Sequence, residues 1–168
     1  MANEQRQPPR IRRIVTGHDA NGRAVVKIDG EASNHKYPDE KVSSTLMWST
    51  DASPTPFLGN SDQGARIIGT APPAGGSRFT MMEFMPGNAS HGLHRTDTID
   101  YVICISGEMT MYLDDRASVK LRPGDVLIQC GTDHGWVNEG TVPCRLAVVL
   151  LDGTPKRAGS VSGTVNAR

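Results

Sequence analysis

The chain has no dominant sign of charge: 18 lysines and arginines meet 18 aspartates and glutamates over 168 residues. No global field then favours nucleic acid, an anionic membrane or a polyphosphate substrate. There is no uncharged apolar run long enough to span a bilayer. Arg6, Arg10, Arg12 and Arg13 are followed by no apolar stretch of the secretory kind, so the sequence predicts a cytoplasmic protein. Cysteine is scarce. Three thiols cannot all pair within one chain; Cys104 and Cys144 sit in apolar strand-like runs, where a thiol behaves as a small hydrophobe, and Cys130 adjoins the Gly131 turn. With no glycine-rich phosphate fingerprint and no Gly-x-Ser-x-Gly elbow, nucleotide-dependent and serine-hydrolase chemistries have little support.

What is present is a series of short strands punctuated by turn residues, with little that reads as helix. Residues 11–16 and 23–29 flank an Asn21-Gly22 pair that favours a tight hairpin turn. Residues 31–43 are polar, include Pro38 and read as a loop; residues 44–50 and 65–69 read as strands. The run Ala71-Pro72-Pro73-Ala74-Gly75-Gly76 is a strong breaker ahead of a strand over 78–85. Further strands are expected over 100–105, 108–113, 119–121, 125–129 and 145–151. Along the run that Asp100 begins, alternation places Val102 and Cys104 on its own inward face and turns Tyr101, Ile103 and Ile105 outward. Both faces are apolar, as in a strand covered on two sides. The pattern predicts an all-β sandwich or barrel. It divides into an N-terminal extension with hairpin strands (1–75), a barrel (76–152) and a tail (153–168).

Within that barrel stand His94, Asp100 and His134, three groups whose imidazole and carboxylate donors suit Zn, Fe, Mn, Ni or Cu. Trp136 and Asn138 follow His134 at same-face offsets and are expected to line a substrate pocket beside such a metal. Arg95 could bind a substrate carboxylate. His18 and His35 read as surface residues.

The segment over 78–151 resembles the cupin superfamily. Asp100 lies seven residues before Gly107, the family's Glu-to-Gly spacing in its first motif, with Asp in place of Glu. Gly124, Gly131, His134 and Asn138 match the second motif, one residue shorter between the two glycines and with Gln129 at the usual Pro. Counting back from Asp100, His94 takes the first histidine position and Thr96 the second, so one imidazole is missing. His91 would supply it if the strand bulges near Gly92.

The resemblance implies a jelly-roll barrel (double-stranded β-helix) carrying a mononuclear divalent transition metal, and a homodimer in which the N-terminal strands pack on the barrel or on a partner subunit. It implies an enzyme that uses the metal as a Lewis acid on a small oxygenated metabolite, of isomerase, lyase, dehydratase or decarboxylase type. A non-catalytic ligand-binding or sensor barrel and an Fe(II)-dependent dioxygenase stand as alternatives.

Overall fold

In the computed structural model, residues 9–57, 61–88 and 92–154 are described. The tail expected from 153 falls, from 155 onward, outside these residues, and so does His91. Eleven strands follow in order: β1 (Arg12–His18), β2 (Ala24–Glu31), β3 (His35–Asp39), β4 (Val42–Thr50), β5 (Ser77–Phe84), β6 (Thr98–Ser106), β7 (Met109–Tyr112), β8 (Ser118–Leu121), β9 (Val126–Cys130), β10 (Gly135–Val137) and β11 (Cys144–Asp152). They form a six-stranded sheet ordered β3-β4-β5-β11-β6-β9, a three-stranded sheet ordered β10-β7-β8, and the separate hairpin β1-β2. Every ladder is antiparallel. No helix among the described residues is long and apolar enough to cross a membrane.

The core lies between the two larger sheets. Val102 and Cys104 on β6, Leu146 and Cys144 on β11 and Phe84 on β5 meet Met109 on β7 and Leu121 on β8. Full burial of an apolar side chain of this size contributes roughly 1.5–3 kcal/mol, so this cluster dominates the clamp between the layers. Burial also pushes the Cys144 thiol up to about 12, and raises Cys104. Both thiols are core hydrophobes, whereas Cys130 is exposed. Alternation along β6 is strict: Val102 and Cys104 are each 1% exposed, while Tyr101, Ile103 and Ile105 keep 41%, 39% and 49% of their surface. The outer face of β6, expected to be covered, is open in this chain. The β6-β7 turn requires glycine. Gly107 has φ +72°, and a Cβ there would lie 2.6 Å from the Pro143 carbonyl oxygen.

Two expectations are corrected. Residues 65–69 form no strand; a short 3-10 turn, Gln63–Ala65, precedes an extended stretch. The Asn34 amide donates to the carbonyls of Gly64 (2.9 Å) and Arg66 (2.8 Å), taking acceptors that a neighbouring strand would otherwise use. In turn, the polar stretch with Pro38 contains β3. Proline is tolerated there because β3 is an edge strand whose register shifts between Lys36 and Asp39. Strands β3 and β4 thus belong to the same sheet as the barrel strands. The hairpin stands apart from it, docked by Arg13, whose guanidinium donates to both oxygens of Asp62 (2.7 and 2.6 Å).

Candidate metal and substrate site

His94 lies ahead of β6 and His134 immediately ahead of β10, and the two pair as an isolated antiparallel bridge. Each backbone N–H donates to the other's carbonyl at 2.9 Å. That exchange sets the side chains abreast, and their rings lie 4.5 Å apart, inclined by 53°. His134 is buried, whereas one side of His94 is open to solvent.

The surroundings of His134 assign its tautomer. Its Nδ1 lies 2.9 Å from the Thr132 carbonyl oxygen and 3.1 Å from Gln129 Nε2. The Gln129 amide already has acceptors for both its protons, the Thr132 carbonyl (2.8 Å) and the Thr132 hydroxyl (3.2 Å). With Nδ1 protonated and donating to Thr132, each of these N–H donors has an acceptor, and Nε2 is left with its lone pair. This is the form in which imidazole ligates a metal.

Asp100 is 6% exposed on the inward face of β6. Its Oδ1 accepts from the Thr98 hydroxyl at 2.5 Å, and because that proton is spent, Thr96 donates to Thr98 across 2.8 Å. Thr96, at the position of the missing histidine, therefore supports the carboxylate through a hydroxyl chain. Burial raises the Asp100 pKa, opposed by the Thr98 hydrogen bond and by the nearby His134 and His94 imidazoles. Burial and the His134 ring lower the His94 pKa against the pull of Asp100. The three groups sense one another's charge, although among the described residues no three His, Cys, Asp or Glu side chains are drawn together as a metal-holding group. The donor chemistry fits a divalent cation: two adjacent imidazoles, one assigned a free Nε2, and a buried carboxylate with no cationic side chain paired to it among the described residues.

The other expected residues fall in different places. Trp136 is half-buried on the same side as His134, edge-on at 5.8 Å, and packs against the core. Asn138 does not line a pocket. It is fully buried and its amide is committed to backbone: Nδ2 donates to the carbonyls of Phe84 and Val142 (2.8 Å each), and Oδ1 accepts from Gly140 N–H (2.9 Å). Arg95 is exposed beside His94. A cavity of about 720 Å³ lies under the hairpin, lined by Val15, Lys27, Trp48 and Phe57 rather than by any residue of the expected site.

Sequence reasoning passed over three contributors. Asn88 accepts from Asn138 N–H (2.7 Å) and donates to the Trp136 carbonyl (2.8 Å), fixing the strand that carries His134. Thr98 orients Asp100. Gln129 is the directly opposed partner of Asp100 across β6 and β9, is 2% exposed, and has a buried Oε1 without a donor. Its replacement of a motif proline was the signal available for it.

Comparison with known proteins gives the chain a family and relatives. The family described as Cupin domain matches residues 80–150. A cupin-domain-containing oxidoreductase of Aspergillus ruber is 37% identical over 151 residues, covering 85% of this chain and 73% of the relative. A phomopsin biosynthesis cluster protein of Diaporthe leptostromiformis is 31% identical over 183 residues, covering 96% and 93%. Among solved structures, a double-stranded β-helix protein from Klebsiella pneumoniae superposes with a TM-score of 0.50 at 18% identity, covering 71% of this chain and 84% of that one. That last likeness concerns the fold alone.

Proposed function

The chain belongs to the cupin-domain family, and on that premise we propose that it is a metal-dependent enzyme acting on a small oxygenated metabolite. The observation that carries this reading is the His94–His134 bridge, two imidazoles held ring to ring by reciprocal backbone hydrogen bonds, beside a buried Asp100 carboxylate. Charged and polar groups are costly inside a barrel unless something partners them. His134 Nε2, His94 and Asp100 would hold the ion. When bound, Zn, Fe, Mn or Ni supplies Lewis-acid polarisation of a carbonyl or hydroxyl, and Fe(II) also supplies oxygen chemistry.

The remaining roles fall to the chain itself. Thr132 and Gln129 hold the His134 ring in one tautomer, and the Thr96–Thr98 chain aims the Asp100 carboxylate. Trp136 offers an apolar wall at the edge of His134, and exposed Arg95, next to His94 in the chain, would meet an anionic group on an incoming substrate. Relatives named cupin-domain-containing oxidoreductases favour redox chemistry over the isomerase, lyase, dehydratase and decarboxylase readings.

The test is turnover of a panel of small organic acids and phenols by chelator-stripped protein reloaded with Fe(II), Mn(II) or Zn(II), under air and under argon. Activity that returns with metal and is lost in His94→Ala and Asp100→Ala supports the reading. Turnover indifferent to metal removal overturns it.

A further inference from the structure

Among the described residues, Arg78 is a cation in the interior without a counter-charge. It sits on the inward face of β5, 6% exposed, in register with Ser49 on β4 and Leu150 on β11. One of its guanidinium nitrogens, Nη2, donates to the Ser44 hydroxyl at 3.1 Å, while Nε is buried without a partner. Among the described residues no carboxylate pairs with it, and burial alone perturbs it, lowering its pKa. A guanidinium does not escape burial by losing its proton. It carries five donors in a planar fork, and a serine oxygen satisfies few of them.

The recess beside Arg78 is cationic as well. Lys36 from β3 and Arg66 from the stretch after the 3-10 turn line it, with Asn34 and Ser44. Arg66 is balanced by Asp51 (2.8 Å). Lys36 is held by the Ile68 carbonyl, a neutral acceptor. Two positive charges, Arg78 at the floor and Lys36 at the rim, therefore face one recess with no acidic group among the residues that line it. The recess is too tight to hold a water molecule in this conformation, so an anion enters it only when the long side chains of Lys36 and Arg66 swing outward and give up their contacts with the Ile68 carbonyl and Asp51. Arg78, Leu150 and Asp100 lie in one row across β5, β11 and β6. Two strand spacings, about 10 Å, thus separate Arg78 from the candidate metal site.

We propose that this recess is an oxyanion site, with the Arg78 guanidinium as its anchor and Lys36 as its outer cation, taking a small carboxylate or phosphate group. A planar fork matches both groups through paired N–H···O bonds. Ser44 fixes the orientation of the fork, and the anion supplies the missing acceptors. The proposal is independent of metal binding at His94 and His134.

The experiment is calorimetric and thermal-shift titration of the full chain with inorganic phosphate and, separately, with propionate, at ionic strength held constant with chloride. Wild type is expected to show saturable binding of at least one of the two, with a rise in Tm. Arg78→Met removes the charge and keeps the volume. It is expected to fold in anion-free buffer and to bind at least tenfold more weakly. Arg78→Lys keeps the charge without the fork and is expected to show the same loss. Lys36→Gln, at the rim, is expected to weaken binding several-fold and His134→Ala to leave it unchanged. If Arg78→Met does not fold, the lysine and rim variants carry the test. No saturable response to either anion, or equal responses in wild type and both Arg78 variants, would overturn the proposal. Preference for propionate or for phosphate identifies which oxyanion the recess serves.

Discussion

His94 and His134, forty residues apart in the chain, exchange both backbone hydrogen bonds at 2.9 Å and hold their rings 4.5 Å apart. Neither residue lies within a regular strand. The bridge joins the approach to β6, in the six-stranded sheet, to the approach to β10, in the three-stranded sheet, so the paired imidazoles depend on closure of the barrel.

Gln129 is the residue whose removal separates positioning from ligation. Its amide shares the Thr132 carbonyl with His134 and does not itself need to touch an ion. Gln129→Leu should leave the barrel folded by circular dichroism yet lower the affinity of chelator-stripped protein for Mn(II) or Zn(II) by roughly tenfold, the usual cost of losing an outer partner of a ligating histidine. Affinity equal to wild type would make Gln129 a packing residue.

Trp136 both touches the core and stands edge-on to His134, so its fluorescence reports on the site. Metal addition should change indole emission in wild type and leave it unaltered in His134→Ala. Trp136→Ala should cost about 3 kcal/mol, the low end for truncating a buried aromatic, because the ring is only half-buried. A loss of stability with no metal-dependent fluorescence change in wild type would assign Trp136 to the core alone.

Asp62 ties the hairpin to the body of the protein. The Arg13 hydrogen bonds hold its carboxyl below the usual range against the opposing effect of burial. A depressed folded value means that the pair stabilises above the unfolded value, about 3.9, and that this stability is lost as pH falls through the folded value. Asp62→Asn should therefore destabilise by roughly 1.5–3 kcal/mol at pH 7. In denaturant titrations the gap from wild type should close below about pH 4. A gap independent of pH would contradict the ion pair.

The barrel strands were legible because their physics is local. Alternation from Asp100 to Ile105 gave the faces of β6, and the turn at Gly107 marked its end. What was hidden depended on partners distant in sequence. The stretch over 65–69 has strand-like composition, but Asn34, some thirty residues away, takes the Arg66 carbonyl within it and the Gly64 carbonyl just before it. Pro38 argued against a strand until the edge position of β3 was known. Asn138 shares a side with His134 by spacing, yet Phe84, Asn88 and Val142 claim its hydrogen bonds. Gln129 and Arg78 carry no local sign of being buried, and their unpaired atoms emerge only when the sheets close.

Metal content tests the central claim most directly. The chain, purified without a metal-binding tag, would be measured by elemental analysis beside His134→Ala and His94→Ala. The account predicts close to one transition-metal ion per wild-type chain, with affinity at least tenfold weaker in each folded variant. Wild-type protein that takes up no Zn, Fe, Mn or Ni when they are supplied, or folded variants that hold metal as tightly as wild type, would contradict it.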